Sequence, residues 1–426
     1  MDVREATRRR FLKQGVTLAG LAVGARTAGA QSLSMSDHSH GGELEKMATH
    51  PMAFGGRSRY VTVMRATMSN VGASMFLHGV PTGLDAFTPI GELVGTITPA
   101  DLHYVSSHGS VPPDIDPKQH QLVISGMVER PLTFTLDELM RMPAVTRPHY
   151  LECVVNRPTP TGKTLEQMHG MVSCSEWTGV PLSVLLNEVG VKAGANWVYA
   201  EGAESVRLGN SLPLGKVEDC FVAYGQNGEP IRPHQGYPLR LVVPGFQGKY
   251  SVKWLRRIRL VKRPLLNYWE RIHYLRVGEG DEGELRGNQG DFYVEQGPKS
   301  VIAFPAAEMR LSSPGFYAIR GLAWSGAGAV RRVEVSSDGG QTWNDAKLDE
   351  PLLRMAFTRF TAPWTWAGKE AVLQSRCTDD KGQVQPTGPD YEAFWAPSGA
   401  PHGNAIQPWK VTSEGFVVNA FTEKRG

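Results

Sequence analysis

Short hydrophobic runs, separated by glycine, proline and polar residues, follow one another from about residue 95 to the end of the chain. Between about 95 and 275 their lengths and spacing predict a mixture of short strands and short helices. Thr135 can cap one helix at its start, and Gly190 can end another. The predicted elements are a strand over His120–Val128, a helix over Thr135–Met140, a helix over Leu182–Val189 and a buried strand over Leu239–Val243.

From about residue 290 the pattern changes to regularly spaced short strands. Asp338-Gly339-Gly340 lies between alternating hydrophobic residues and Trp343, which indicates a hairpin. Such strands over about 130 residues are typical of a β-sandwich. The predicted strands are Gly321–Trp324, Val330–Ser336, Leu352–Phe360 and Ala371–Cys377. We expect the boundary between the two regions near Gly278–Gly290, a segment rich in Gly, Asp and Glu.

The first thirty residues have the features of an export signal. Arg8 and Arg9 belong to a twin-arginine pattern, Gly15–Ala25 is weakly apolar, and Ala28–Ala30 offers a cleavage site. The apolar stretch is shorter than the roughly twenty residues that span a bilayer, and no other segment approaches that length. We therefore expect residues 1–30 to be a twin-arginine signal peptide, residues 31–94 to be an N-terminal extension, and the mature protein to be periplasmic without a membrane span. A disordered basic tail is the alternative for the leader.

The net charge of +3 comes from this leader. It holds six of the 45 basic residues and two of the 42 acidic ones, which leaves 39 basic against 40 acidic residues. A nearly neutral chain lacks the charge that attracts nucleic-acid phosphates, so a nucleic-acid role is excluded.

The chain has four cysteines, at positions 153, 174, 220 and 377, and no C-x-x-C motif. Four widely spaced cysteines do not form a disulfide framework, and zinc, thioredoxin and c-type haem motifs are missing. No Gly-rich nucleotide-binding motif occurs either. Cys153 stands in an apolar stretch just before Asn156-Arg157, where it can be a ligand for a redox-active metal or an ordinary core residue.

Further motifs favour Cys153 as a metal ligand, because together they resemble those of a known family. They are Val105-Ser106-Ser107-His108-Gly109, Asn227-Gly228-Glu229-Pro230, Gly236-Tyr237-Pro238-Leu239-Arg240 with Pro244-Gly245, Val252-Lys253-Trp254-Leu255, Asn267-Tyr268-Trp269-Glu270-Arg271 and Ser337-Asp338-Gly339-Gly340. In order and spacing they resemble the sulfite oxidase family of molybdenum enzymes, over about residues 95–426. The resemblance is strongest to the molybdenum subunits of periplasmic sulfane dehydrogenases. It implies an α+β molybdopterin domain over 95–280, followed by an immunoglobulin-like β-sandwich over 290–426 that forms a dimer.

The resemblance also implies a molybdenum–molybdopterin cofactor and a set of site residues. Cys153 matches the family's metal ligand and Tyr274 its active-site tyrosine, and both are expected to be catalytic. Arg240 and Lys253 match the residues that hold the pterin phosphate. The implied cofactor-binding residues are Tyr104, Val105, Ser106, Ser107, His108, Glu204, Gln235, Arg240, Ser251, Val252 and Lys253.

From the residues alone, several of these positions have a plainer interpretation. Lys253 is also compatible with a solvated surface lysine, Tyr274 with a core tyrosine and His108 with a loop cap. Arg240 lies in a buried strand, where an arginine is costly unless it meets an anion, so a phosphate partner is favoured there.

The sequence departs from the family at positions that hold a small dianionic substrate. Ser106 and Pro158 stand where sulfite-oxidising members have arginines, His402 stands near the place of a third, and Gln235 replaces a histidine. Each lost contact between a cation and the anion removes about 1.5–3 kcal/mol. We therefore expect weak binding of free sulfite and a less anionic, tethered substrate.

The predicted activity is the oxidation of sulfane sulfur held on a SoxYZ-type carrier protein during thiosulfate oxidation. Electrons are expected to pass to a separate c-type cytochrome subunit, with a homodimer of this chain as the core of a heterotetramer. The alternative enzyme is a sulfite dehydrogenase that reduces cytochrome c. Less favoured are a methionine sulfoxide reductase, a degenerate site that retains only the cofactor, and a non-catalytic binding protein.

Overall fold

A computed structural model describes residues 58, 60–67, 76–77, 80–81, 85–106, 111–158, 162–204, 209–266, 295–395 and 402–421 of the chain. The chain divides into two compact units, Met1–Thr62 and Val63–Gly426, and the second contains all the elements discussed below. The predicted leader and the predicted boundary near Gly278–Gly290 lie outside the described residues. Within these ranges, no helix has the length and hydrophobicity needed to cross a membrane.

The first part of the second unit contains short strands and three short α-helices. In chain order they are β1 (Ala66–Thr67), β2 (Phe76–Leu77), β3 (Val80–Pro81), β4 (Ala86–Phe87), β5 (Gln121–Gly126), β6 (Leu132–Thr135), α1 (Leu136–Met140), β7 (Val145–Glu152), α2 (Leu165–His169), β8 (Val172–Pro181), α3 (Leu182–Val189), β9 (Trp197–Gly202), β10 (Gly209–Pro213), β11 (Phe221–Gln226), β12 (Glu229–Pro230), β13 (Arg240–Val242) and β14 (Leu255–Val261).

Two five-stranded sheets organise this part. One has the order β10-β9-β14-β5-β6, and its β14–β5 pair is parallel. The other has the order β12-β11-β8-β7, with β13 paired to β11. Strands, short α-helices and one parallel pair together give the predicted α+β domain.

The local signals identified in the sequence correspond to real elements. Glu138 N donates to Thr135 Oγ1 (3.3 Å) and Thr135 N donates to Glu138 Oε2 (2.8 Å), which forms a capping box at the start of α1. Helix α3 ends at Gly190, which has a φ of +67°. The strand predicted over His120–Val128 is confirmed over Gln121–Gly126, and the buried strand near 240 is confirmed over Arg240–Val242.

The second part is a sandwich of antiparallel strands, as predicted. Its elements are β15 (Lys299–Phe304), β16 (Gly315–Trp324), β17 (Val330–Ser336), β18 (Asn344–Asp345), β19 (Lys347–Leu348), β20 (Thr358–Trp366), β21 (Ala371–Asp379), α4 (Gly388–Trp395), β22 (Trp409–Val411) and β23 (Val417–Asn419). The sheets have the orders β15-β16-β20-β19 and β18-β17-β21-β22-β23. The predicted hairpin joins β17 to β18, where Glu334 pairs with Asp345.

One predicted strand is displaced. Leu352–Phe360 has a hydrophobic pattern, but the strand begins only at Thr358 and runs to Trp366. Met355 has a φ of +54°, outside the range of a strand. Its backbone bonds elsewhere: Met355 N donates to Gly328 O (2.9 Å), and Tyr150 N donates to Met355 O (3.0 Å). This segment therefore packs against β7 instead of extending β20.

The two parts share a hydrophobic core. A single cluster of buried side chains contains Tyr150, Met168 and Cys174 from the first part together with Trp324 and Phe357 from the sandwich. Cys174, Cys220 and Cys377 are buried, and all four cysteines are free thiols. The sandwich thus completes the core beneath β7 and β8.

We predict that Thr135→Ala lowers the local stability of α1 by about 1 kcal/mol, because one backbone N–H loses its cap. Native-state hydrogen exchange at residues 136–140 measures this loss. Thr135→Ser retains the hydroxyl and serves as the control. Equal protection in the two variants would contradict the capping role.

Candidate active site

Cys153 lies immediately after β7, at the start of a tight turn. Cys153 N donates to Met171 O (2.9 Å), and Asn156 N donates to Cys153 O (3.0 Å). The side chain is partly exposed, whereas the other three cysteines are buried. The hydroxyl of Ser106 lies within hydrogen-bonding reach of the sulfur. Cys153 is thus the accessible thiol among the described cysteines.

The surroundings of Cys153 favour the neutral thiol over the thiolate. Burial raises the pKa of Cys153 to about 11, despite a backbone contact at Val155 and the Ser106 hydroxyl, which lower it. A metal ligand must be deprotonated, so metal binding at this sulfur releases a proton.

Strand alternation directs Arg240 toward the same region. Leu239, Leu241 and Val243 face the core of the first sheet, and residues on opposite sides of a strand alternate. Val242 accordingly belongs to a separate cluster with Tyr104 and Trp177, against which Cys153 packs. The guanidinium carbon of Arg240 lies 5.3 Å from the centre of the Trp177 ring.

Gln235 and Ser251 surround the Arg240 guanidinium with neutral oxygens. Arg240 Nη1 donates to the backbone oxygen (3.1 Å) and the side-chain Oε1 (3.0 Å) of Gln235, and Nε donates to Ser251 O (3.2 Å). Gln235 Nε2 in turn donates to Tyr104 O (2.7 Å). These bonds connect three segments of the chain around one buried cation.

Lys253 is the second cation of the site. Its Nζ donates to Ser106 O (2.8 Å) and to His234 O (3.2 Å), and it lies 4.5 Å from the centre of the Trp254 ring. Ser106 therefore contacts Lys253 through its backbone and Cys153 through its hydroxyl. The conformation of Gly236 permits this arrangement: its φ is +111°, and a Cβ there would lie 2.9 Å from Lys253 Cα.

Both cations are destabilised by their surroundings. Burial lowers the pKa of Arg240 to about 10, and burial together with Arg240 lowers the pKa of Lys253 to about 7. Within the described part of the chain, neither forms a salt bridge with a carboxylate. Asp85 and Glu204 are near enough to raise the pKa of Lys253 without offsetting its burial. A bound anion would favour both charged forms, so these residues fit a phosphate-bearing cofactor.

The structure brings together most of the residues predicted from the sequence. Tyr104, Val105 and Ser106 form one segment, in which Val105 pairs with Ala86, and Ser251–Lys253 form another. Val252 O accepts a bond from Leu241 N (2.9 Å). Glu204 is buried near Lys253. Ser107, His108 and Tyr274 lie outside the described residues.

Sequence reasoning missed two features of this region. His103 is buried against Tyr104 and Trp177, with ring centroids 5.2 and 5.8 Å away, and burial lowers its pKa to about 3. Glu152, the residue before Cys153, forms a salt bridge with Lys299 at 2.7 Å. The sequence contained a signal for the Glu152 salt bridge, because Glu152 is a charged residue in an apolar run. His402 lies 3.9 Å from Glu152 and is buried with it.

Comparison with known proteins agrees with this geometry. A family model described as "Oxidoreductase molybdopterin binding domain" matches residues 108–269, and one described as "Mo-co oxidoreductase dimerisation domain" matches residues 293–403. NADH nitrate reductases of Ulva prolifera and Cichorium intybus are 32% and 35% identical over 66% and 65% of this chain. The chain spans about a third of their length, 36% and 33% respectively.

A solved structure matches over nearly its full length. The sulfane dehydrogenase SoxCD from Paracoccus pantotrophus is 34% identical, with a TM-score of 0.76, over 87% of this chain and 96% of that chain. Both the molybdopterin-binding part and the sandwich are covered by these matches. The chain therefore belongs to the sulfite oxidase family of molybdenum oxidoreductases.

Proposed function

We propose that this chain is the molybdenum subunit of a periplasmic sulfane dehydrogenase. It oxidises sulfane sulfur attached to a cysteine of a SoxYZ-type carrier protein, and its electrons pass to a c-type cytochrome subunit. The similarity to a sulfane dehydrogenase of known structure supports this proposal, as does the twin-arginine pattern at residues 7–13. The 426 residues contain no C-x-x-C motif of the kind that attaches a c-type haem, which agrees with a separate cytochrome subunit.

The observation that carries the proposal is the neutral side chain beside the thiol. Ser106 occupies a place where sulfite-oxidising members are expected to have an arginine, and its hydroxyl lies within hydrogen-bonding reach of the Cys153 sulfur. Pro158 replaces another expected arginine and is uncharged. A small free dianion would meet few charge-assisted hydrogen bonds here. A substrate tethered to a carrier protein can obtain its affinity from the protein surface instead.

Each described residue has a defined task in this proposal. Cys153 holds the metal through its sulfur after losing the thiol proton. Arg240 and Lys253 hold the phosphate of the pterin, and Gln235 orients Arg240 while its amide secures the Tyr104 carbonyl. When bound, the molybdenum–molybdopterin group supplies the two-electron redox chemistry, with water as the source of oxygen.

We predict that Cys153→Ser abolishes carrier-bound sulfane oxidation and removes most of the molybdenum, because an alcohol is a poor ligand compared with a thiolate. Elemental analysis and a turnover assay on the natively purified protein measure both effects. Cys220→Ser, a change at a buried cysteine outside the site, is the control. Retained activity in the Cys153 variant would reject its role as a ligand.

We expect the unaltered enzyme to turn over the persulfurated carrier and to saturate poorly with free sulfite. Ser106→Arg should lower the KM for free sulfite by about 10- to 150-fold, which corresponds to one restored contact of about 1.5–3 kcal/mol. Ser106→Gln adds bulk without charge and is the control. Tight saturation of the unaltered enzyme by free sulfite, with fast turnover, would instead favour a sulfite dehydrogenase.

We predict that Arg240→Met reduces the retained pterin and molybdenum at least about tenfold, because a buried charge-assisted phosphate contact is lost. Arg240→Lys preserves the charge but not the planar fork, so it should retain an intermediate amount. Pterin fluorescence after oxidation and elemental analysis measure the occupancy. Full occupancy in Arg240→Met would place the phosphate elsewhere.

A further inference from the structure

Glu152, the residue immediately before Cys153, belongs to a fully buried salt bridge. Lys299 Nζ is 2.7 Å from Glu152 Oε1, and both side chains have 0% exposure. Glu152 is the last residue of β7 and precedes the cysteine, whereas Lys299 is the first residue of β15 in the sandwich. The pair therefore joins the residue next to the thiol to the second domain of the protein.

Lys299 contacts both ends of the turn that carries the thiol. Besides Glu152, its Nζ donates to Asn156 O (2.7 Å), and Asn156 Nδ2 donates to Glu152 Oε1 (2.8 Å). Asn156 Oδ1 accepts a hydrogen bond from Met171 N (2.9 Å), which connects the turn to the residue just before β8. Cys153 lies between the two residues that Lys299 holds, so the ammonium group closes the turn.

Residues of the sandwich also hold the other oxygen of the carboxylate. Trp324 Nε1 donates to Glu152 Oε2 (2.8 Å), and His402 Nδ1 lies 3.9 Å from the same oxygen. His402 Nε2 is 3.2 Å from Gly297 O. Both oxygens of the Glu152 carboxylate thus accept hydrogen bonds, Oε1 from Lys299 and Asn156 and Oε2 from Trp324.

Stability alone does not account for such a pair. Two charges lose much hydration energy on burial, and apolar residues of similar volume often stabilise a protein as well or better. The pair instead fixes geometry, because charge-assisted hydrogen bonds from Lys299 to both ends of the turn restrict the conformations that the turn can adopt. This restriction acts on Cys153, the residue proposed to bind the metal.

We propose that Lys299 is a positioning residue for the Cys153 sulfur, through which the sandwich domain sets the geometry of the metal ligand. The proposal rests on the proposed role of Cys153 as that ligand. Lys299 does not touch the reacting atoms. It acts through Glu152 and Asn156, the residues at either end of the turn.

The decisive variant is the double change Glu152→Gln with Lys299→Met. Lys299→Met alone leaves a buried carboxylate without its partner and should lower the unfolding temperature markedly. The double variant removes both charges, so folding should recover toward that of the parent while the turn remains loosened. Arg376→Met, which breaks the Arg376–Glu334 pair between β17 and β21 of the sandwich, is the control for losing an ion pair that does not contact the turn of Cys153.

Three measurements on the double variant test positioning. In the molybdenum-loaded enzyme we expect an altered Mo(V) electron paramagnetic resonance spectrum and a kcat lowered by about 10- to 100-fold at an unchanged carrier KM. In full-length protein made without the cofactor, we expect faster alkylation of Cys153, which a thiol probe can distinguish because the other cysteines are buried.

The outcomes separate this proposal from the one on which it rests. A double variant with the parent's spectrum, kcat and alkylation rate would overturn the positioning role, whatever Cys153→Ser shows. Changes of equal size in Arg376→Met would also overturn it, since they would reflect a general loss of rigidity. If Cys153→Ser keeps the parent's metal content and spectrum, the ligand assignment itself fails.

Discussion

Two cations with neutral hydrogen-bond partners, the buried Arg240 and the partly buried Lys253, lie at the centre of this site. Their hydrogen bonds go to backbone oxygens and to Gln235, none of which carries a negative charge. The protein therefore holds excess positive charge in a region of low dielectric, where it is costly. An anionic cofactor bound at these two residues would remove that cost and so couple cofactor binding to stability. Gln235 and Ser251 contribute oxygens to Arg240, and Ser106 and His234 contribute carbonyl oxygens to Lys253.

The Glu152–Lys299 salt bridge beside the thiol differs from these two cations, because its charges balance each other. Glu152 and Lys299 have side chains of opposite charge type, are fully buried and form a salt bridge with each other, so neither needs a bound ligand to balance its charge. Arg240 and Lys253 have no carboxylate partner in a salt bridge within the described part of the chain, whereas Glu152 and Lys299 form a salt bridge with each other. The region of Cys153 thus contains two kinds of charged group: two cations without a salt-bridged carboxylate, and a salt bridge formed within the protein.

Much of the fold follows from local sequence signals, but the contacts behind the thiol do not. The cap at Thr135 and the stop at Gly190 act over a few residues, so they could be predicted. The strand predicted over Leu352–Phe360 was wrong for residues 352–357, because the backbone of Met355 bonds to Tyr150, a tertiary contact that a hydrophobic pattern does not contain. The Cys153 region could be identified through the family resemblance. Lys299, by contrast, has the sequence appearance of a surface lysine, and only the three-dimensional structure reveals its partner.

The separation of Glu152 and Lys299 along the chain has a consequence for biosynthesis. The two residues are 147 positions apart, and Trp324 and His402 follow later still. A nascent polypeptide that ends before residue 299 therefore exposes a carboxylate without its lysine and a turn without its closure. The turn that carries Cys153 can therefore reach its closed form only after these later residues have left the ribosome.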